Sequence, residues 1–204
     1  PISNTQSPII LAIGHSAHDT YQMLHDNGVA LATKGFAMGV RAEHPQALIN
    51  RLMYHDPSPE LIQLIGNASY SLVTQVQGRG VYSFCMCPGG TVVCASSQKG
   101  GVVTNGMSEY ARDKENANSA ILVGVEPADF PTEHPLSGFE LQRSIEEKAF
   151  SLGGGDYSAP ATLVGDFLRC QKSTKLGFVK PSFTTGVTMG DISEALPQKV
   201  VLVK

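Results

Sequence analysis

Gly80-Val81-Tyr82-Ser83-Phe84-Cys85-Met86-Cys87-Pro88-Gly89-Gly90-Thr91-Val92-Val93-Cys94-Ala95 is the stretch on which the fold turns. Its Val, Tyr, Phe and Thr residues favour extended backbone. The run breaks at Pro88-Gly89-Gly90, where Pro has no N–H for a ladder and Gly takes a positive φ without a Cβ clash. Two strands joined by a turn follow, Gly80 to Cys87 and Thr91 to Ala95. Outward from them, Ser69 to Val76, Gly101 to Thr104 and Ala120 to Val125 have the same character, and Gln98-Lys99-Gly100-Gly101 marks a hairpin turn. The expected fold class is α+β: an antiparallel sheet or small barrel with packed helices.

The helices are read from periodicity and punctuation. Phe139 to Leu152 carries Leu141, Ile145, Ala149 and Leu152 on one stripe and stops at Gly153-Gly154-Gly155. Ala161 to Arg169 follows Pro160, and Pro45 opens Gln46 to Tyr54. The turn Asp56-Pro57-Ser58-Pro59 leads into a brief helix through Ile65. Nearer the start, after a polar, turn-like Pro1 to Pro8, the apolar run Ile9 to Ile13 reads as a buried strand ending at Gly14. A helix with Ala17, Tyr21 and Leu24 on one face then stops at Asn27-Gly28. Ala30 to Glu43 reads as a half-buried strand, and Lys172 to Lys204 as loop with a short helix near Ser193 to Leu196 and an apolar Val200 to Val203.

Composition bounds the function. The chain has 204 residues, 42% of them apolar and 16% charged, enough for a packed core and unlike a disordered segment. That length suits one domain or a domain and a half. Fifteen Lys and Arg against 18 Asp and Glu give a net charge of −3, which argues against nucleic acid or an anionic membrane as the main partner. No apolar run approaches the roughly 20 residues that span a bilayer. Four cysteines are too few for a disulfide scaffold and fit a reducing, cytoplasmic setting.

Of the nucleotide motifs, G-x-G-x-x-G is missing: Gly78-x-Gly80 and Gly153-x-Gly155 each have Ser in place of the third glycine. No P-loop occurs. Cys85 and Cys87 share one face of a strand, with Cys94 on the next strand. In extended backbone the first two sit too close for an easy bridge, and three readings stay open: small buried hydrophobes, a redox or flavin-adjacent pair, or loose metal ligands. His15 and His18 lie at a helix start, where ligands gather. Ser96-x-x-Lys99 has acyl-enzyme spacing but falls in a hairpin without its companion motifs. Asn105, Ser108, Arg112, Asn116 and Asn118 form a polar, loop-like, hydrogen-bonding stretch.

These residues resemble a known family. Ala12-Ile13-Gly14-His15-Ser16-Ala17-His18-Asp19-Thr20, Gly39-Val40-Arg41-x-Glu43-His44-Pro45, Val81 through Gly90, Val103-Thr104-Asn105-Gly106-Met107-Ser108 and Ala111-Arg112-Asp113 are similar to segments of the bacterial FAD-dependent (NAD/FAD-utilising) dehydrogenases, as is Glu115 through Ala120. The runs Phe84 to Gly90 and Asn116 to Ala120 are the specific ones, and His18 stands where that family usually has Arg.

The resemblance implies an internal, substrate-side domain of a multidomain flavoprotein: residues 1–34 a remnant of the FAD-binding domain, 35–197 the substrate-side α+β domain, 198–204 a tail. FAD is the implied cofactor, carried by the intact protein rather than by this piece, with a small-molecule substrate and NAD(P)H as expected partners and no metal. Gly14, His15 and Ser16 would lie near the FAD, with Pro88, Gly89 and Gly90 approaching the ring and Cys85 and Cys87 beside it. Asn105, Ser108, Arg112, Asn116 and Asn118 would bind the substrate or the ring edge. An orphan strand at Ile9 to Ile13 would offer an edge for a homodimer. A non-catalytic protein-interaction module is the alternative.

Overall fold

A computed structural model describes residues 9–201, and the chain divides into two units, one ending at Ala32 and the other beginning at Thr33. Pro1 to Pro8 lie outside the described residues. In the first unit the strand expected at Ile9 to Ile13 does not form; Ile9 and Ile10 are 85% and 89% exposed. A strand is completed by the ladder of a neighbour, and no other described residue of this unit is extended into one. Among the described residues of this unit the regular structure is a single helix, α1 (His18–Asp26). The helix ends where expected: Asn27 returns both its N–H and its Nδ2 to Met23 O (3.1 and 2.7 Å), and Gly28 takes a φ of 78°.

The second unit is built on a four-stranded antiparallel sheet in the order β1 (Phe36–Pro45), β6 (Asn116–Val125), β3 (Arg79–Cys87), β2 (Val73–Val76). It is an open sheet with β1 and β2 as edges, not the barrel alternative. The chain leaves it at Pro88-Gly89-Gly90, which is a corner between two sheets rather than a hairpin. Beyond the corner, β4 (Thr91–Cys94) pairs with β5 (Thr104–Met107) in a hairpin of its own, joined through the Gln98 to Gly101 turn. A parallel pair, β7 (Ala159–Ala161) with β8 (Val187–Met189), is too short to carry a periodic signal.

Four expected boundaries move. The stretch Asn105 to Asn118, read as loop, gives its ends to β5 and β6, while Ala30 to Gly35 and Ser69 to Leu72, read as strand, stay outside the ladders. Asn and Ser are poor strand formers, but β6 is central and its ladders to both neighbours override the local preference.

Most helices follow their signals, but the one expected from Ala161 starts only at Val164, because Ala161 is held in the ladder opposite Met189. Pro45 precedes α2 (Gln46–Tyr54), and Ser58 caps α3 (Pro59–Ile65) through Leu61 N at 3.2 Å. The long helix α4 (Ser137–Gly153) ends at Gly154, in left-handed backbone with φ 108°. The shorter α5 (Val164–Leu168) and α6 (Gln198–Val201) follow.

Three clusters fill the interior. Val92, Val102, Ala159 and Phe183 lock the β4–β5 hairpin to Ala149 and Phe150 of α4 and to the β7–β8 pair. On the sheet, Val123 and Val125 pack with Phe36, Val81, Phe130 and Val200 of α6. Ile49 of α2 and Ala68 cover Ala117, with Tyr70 and Met86. Among the described residues no helix is long and apolar enough to cross a membrane.

Candidate functional site

The site grows from strand alternation. On β6, Asn116, Asn118 and Ala120 share one face, opposite the Ala117 that packs on α2. Arg41 of β1 registers with Ala120 and Glu43 with Asn118, so Arg41 is the diagonal neighbour of Asn118 on that face. Arg41 Nη1 donates to Asn118 Oδ1 at 2.7 Å and to Cys85 O at 3.3 Å, and Nη2 donates to Asn105 Oδ1 at 3.3 Å. Three strands, β1, β3 and β6, and the tip of β5 thus converge on one guanidinium.

All three acceptors are neutral, and no described carboxylate lies within ion-pair distance of Arg41. Its Nε and the Asn118 Nδ2 are buried and have no hydrogen-bond partner. A half-buried cation held only by neutral dipoles leaves its charge uncompensated, which attracts an anionic or electron-rich group.

Two cysteines stand beside it. The β3–β6 register shifts between Phe84, opposite Ala120, and Cys87, opposite Asn118, so β3 carries one extra residue there. Cys85 takes the bulge conformation at φ 48° and is exposed; Cys87 is 6% exposed. Cys87 Sγ donates to Cys85 O at 3.2 Å. Burial pushes the Cys87 thiol up, and the Cys85 thiol adds to this, whereas the Arg41 charge and the Ser108 hydroxyl draw it down. Cys94 does not join them: it sits at the far end of β4, opposite Thr104, with its thiol on Ser96 Oγ at 3.4 Å.

Close packing fixes the arrangement. A Cβ on Gly106 would meet Asn118 Oδ1, Arg41 Nη1 and, at 2.9 Å, Cys87 Sγ, so β5 lies against the cluster only because position 106 has no side chain. Ser108 Oγ donates to Pro88 O at 2.8 Å.

The remaining expected site residues divide. Asn105 and Ser108 reach the cluster. Asn116 faces the same way, but its Nδ2 is spent on Glu43 Oε1 (2.9 Å) and Lys180 O (2.8 Å), a structural tie. Arg112 is exposed, and it is its carbonyl that acts, accepting from Asn67 Nδ2 at 2.6 Å.

Pro88, Gly89 and Gly90 are buried, and their smallness serves the chain's own backbone: a Cβ on Gly89 would strike Arg112 O, while Gly89 N donates to Gln46 Oε1 at 2.7 Å and Gly90 N to Asn116 O at 2.8 Å. Those two amides are therefore not free to meet a ring. Gly14, His15 and Ser16 lie in the first unit, where Ser16 Oγ is 3.2 Å from His15 Nε2 and Gly14 O accepts from Tyr21 Oη at 3.0 Å.

Beneath the turn runs a chain of amides. Gln46 Nε2 donates to Asn50 Oδ1 (2.8 Å) and Ala68 O (3.0 Å), Ala68 N to Asn50 Oδ1 (2.8 Å) and Asn50 Nδ2 to Asn67 Oδ1 (2.8 Å). A shallow groove on α2, lined by Ala47, Arg51 and Ile62 among others, is separate from the cluster around Arg41. Among the described residues no three His, Cys, Asp or Glu side chains gather as metal ligands.

Residues 35–203 match a family described as FAD-dependent protein, C-terminal domain-like. The chain belongs to this family. The match covers every strand of the second unit, so Arg41, Asn118, Cys85 and Cys87 all stand in the FAD-dependent protein C-terminal domain. Similarity extends to an uncharacterized protein of Clostridium beijerinckii, 52% identical over 201 residues and 97% of this chain. The chain spans 37% of that relative's length.

Sequence reasoning passes over Arg41 as a site residue. The available signal is two charges, Arg41 and Glu43, set two apart in a strand of otherwise small and apolar residues, which places both on one face. Gln46 and Asn50 stay hidden because two amides four apart on a helix read as a solvated face.

Proposed function

We propose that this chain forms the substrate-side wall of the flavin site in an FAD-dependent oxidoreductase of dehydrogenase type. The observation that carries the reading is the match of residues 35–203 to the C-terminal domain of FAD-dependent proteins. The cluster around Arg41 supports it.

The residues fit one part of the cofactor. A flavin's pyrimidine edge presents acceptors, and here an uncompensated guanidinium stands behind an exposed rim formed by Cys85 and Asn105. They do not fit its diphosphate, since none of the described helices opens from a strand through a glycine-rich turn. The diphosphate would therefore be held by sequence beyond this domain. When bound, the flavin supplies the hydride chemistry. Arg41 would place a fixed positive charge toward the ring edge, Asn118 and Asn105 would hold its plane, and Cys85 and Ser108 would line the side open to substrate.

The test uses the intact, full-length protein and its Arg41→Met variant, comparing retained flavin and the flavin's reduction potential. Removing the charge is expected to lower flavin retention severalfold and to make the potential more negative, because a nearby cation favours the electron-rich reduced ring. Unchanged retention and potential in a folded variant would overturn the assignment.

A further inference from the structure

We propose that Cys85 and Cys87 form a dithiol that closes to an intramolecular disulfide by exchange with a small, low-molecular-weight disulfide. In a flat strand, residues two apart have Cα atoms about 6.6–6.8 Å from each other, at the upper edge of the bridgeable range. The bulge changes that. With one extra residue stepped over two positions of β6 and Cys85 in left-handed backbone, the Cys87 sulfur lies 3.2 Å from Cys85 O, against the residue it would bridge to. A non-glycine residue at a φ of 48° is uncommon, so this conformation is imposed by its surroundings. Arg41, gripping Cys85 O at 3.3 Å, is one of those surroundings.

The two sulfurs are unequal in the way exchange requires. Exposed Cys85 is open to an incoming disulfide RSSR, while Cys87 is buried and shielded from it. Cys85 thiolate attacks one sulfur of RSSR, forming Cys85–S–SR and releasing RS⁻, which takes up the proton Cys85 lost. Cys87 then attacks Cys85 Sγ, closing the Cys85–Cys87 bond and releasing a second RS⁻, which accepts the Cys87 proton. Two S–H bonds become one S–S bond, RSSR becomes two RSH, and two electrons pass from the protein to RSSR. Arg41 and Ser108 beside Cys87 offset part of the burial that holds it as the thiol at the second step.

The experiment needs no flavin, so its outcome is independent of the flavin reading. The reduced 204-residue chain, with Cys94→Ser and Cys170→Ser to remove the other two cysteines, is incubated with oxidised glutathione, quenched with N-ethylmaleimide and mapped by mass spectrometry. The expected result is loss of both alkylation sites with a Cys85–Cys87 cross-linked peptide and no retained glutathione. Cys87→Ser is expected to stop at glutathionylated Cys85, and Cys85→Ser to slow oxidation at least tenfold. Persistent glutathione on Cys85 in the parent chain with Cys87 still alkylatable, or no oxidation at either thiol, would overturn the proposal. Because the parent chain alone decides, a variant that fails to fold does not shield the idea.

Discussion

Arg41 and Asn118, diagonal neighbours on β1 and β6, share a 2.7 Å hydrogen bond on the face of the sheet away from α2. Asn118→Leu keeps the branched outline, though with bulkier methyl ends, and removes the acceptor, leaving part of a half-buried guanidinium unsatisfied. The expected cost is about 2–3 kcal/mol. Adding Arg41→Met to Asn118→Leu should recover part of that loss, since both partners are then apolar. Denaturant melts of the four-member cycle measure it; strictly additive costs would show that the two side chains are not coupled.

Gly106→Ala tests the packing of β5. The new methyl meets Asn118, Arg41 and the Cys87 sulfur, and overpacking of this kind costs about 1–3 kcal/mol. Gly80→Ala, on β3 where an added methyl would meet nothing within 4 Å, is the matched control and should be close to neutral. Equal effects in thermal unfolding would refute the steric account.

Gln46 is the keystone of the amide chain under the turn. Gln46→Leu orphans the buried Gly89 N–H and the Ala68 carbonyl together, for an expected loss of about 2–4 kcal/mol. Hydrogen exchange at Gly89 should rise by orders of magnitude more than at Val123, which is in the sheet core.

The parts legible in the sequence are those with a local cause. Pro45, Ser58 and the glycines after Leu152 set helix ends, and the apolar alternation of β3 marks a strand, because caps and periodicity act within a few residues. What stays hidden depends on distant partners. Asn116 to Ser119 look like a turn until β1 and β3 supply ladders on both sides. Cys85 and Cys87 are visible as a pair, yet the bulge at Cys85 is a property of the register with β6. Arg41 looks like an exposed strand charge because its acceptors come from Cys85, Asn105 and Asn118, far along the chain. At Ile9 to Ile13 the hydrophobic run suggests a strand, and composition alone does not supply the neighbour such a strand needs.

Two groups make the fold acid-sensitive in separate ranges. Arg79 holds Asp129 through two hydrogen bonds (2.6 and 2.8 Å) and Lys199 adds a third at 2.8 Å, so the carboxyl lies far below its ordinary value. Its stabilisation is complete above the unfolded carboxyl pKa of about 3.9 and falls away as pH drops toward the folded value. His44, against Tyr70 with ring centres 5.5 Å apart, is lowered by burial, so its neutral form is the one the fold favours. That contribution is whole above about pH 6.5 and declines as pH falls below it. Stability measured from pH 8 to 3 should therefore fall in two stages. Asp129→Asn should flatten the lower stage and His44→Gln the upper; a variant that leaves its stage intact would refute that assignment.

Glu43 receives the Ser182 amide across 139 residues of chain, at 3.1 and 3.2 Å from its two oxygens. The first strand of the sheet thus waits for residues made late in the domain. During synthesis β1 has neither its β6 ladder nor its Ser182 anchor until most of the domain has left the ribosome, and the early hairpin β2–β3 must hold an unprotected side meanwhile. Such long-range closure is the signature of a slow folder, on the order of milliseconds to seconds. The tie that steadies the finished site also sets the order in which it is assembled.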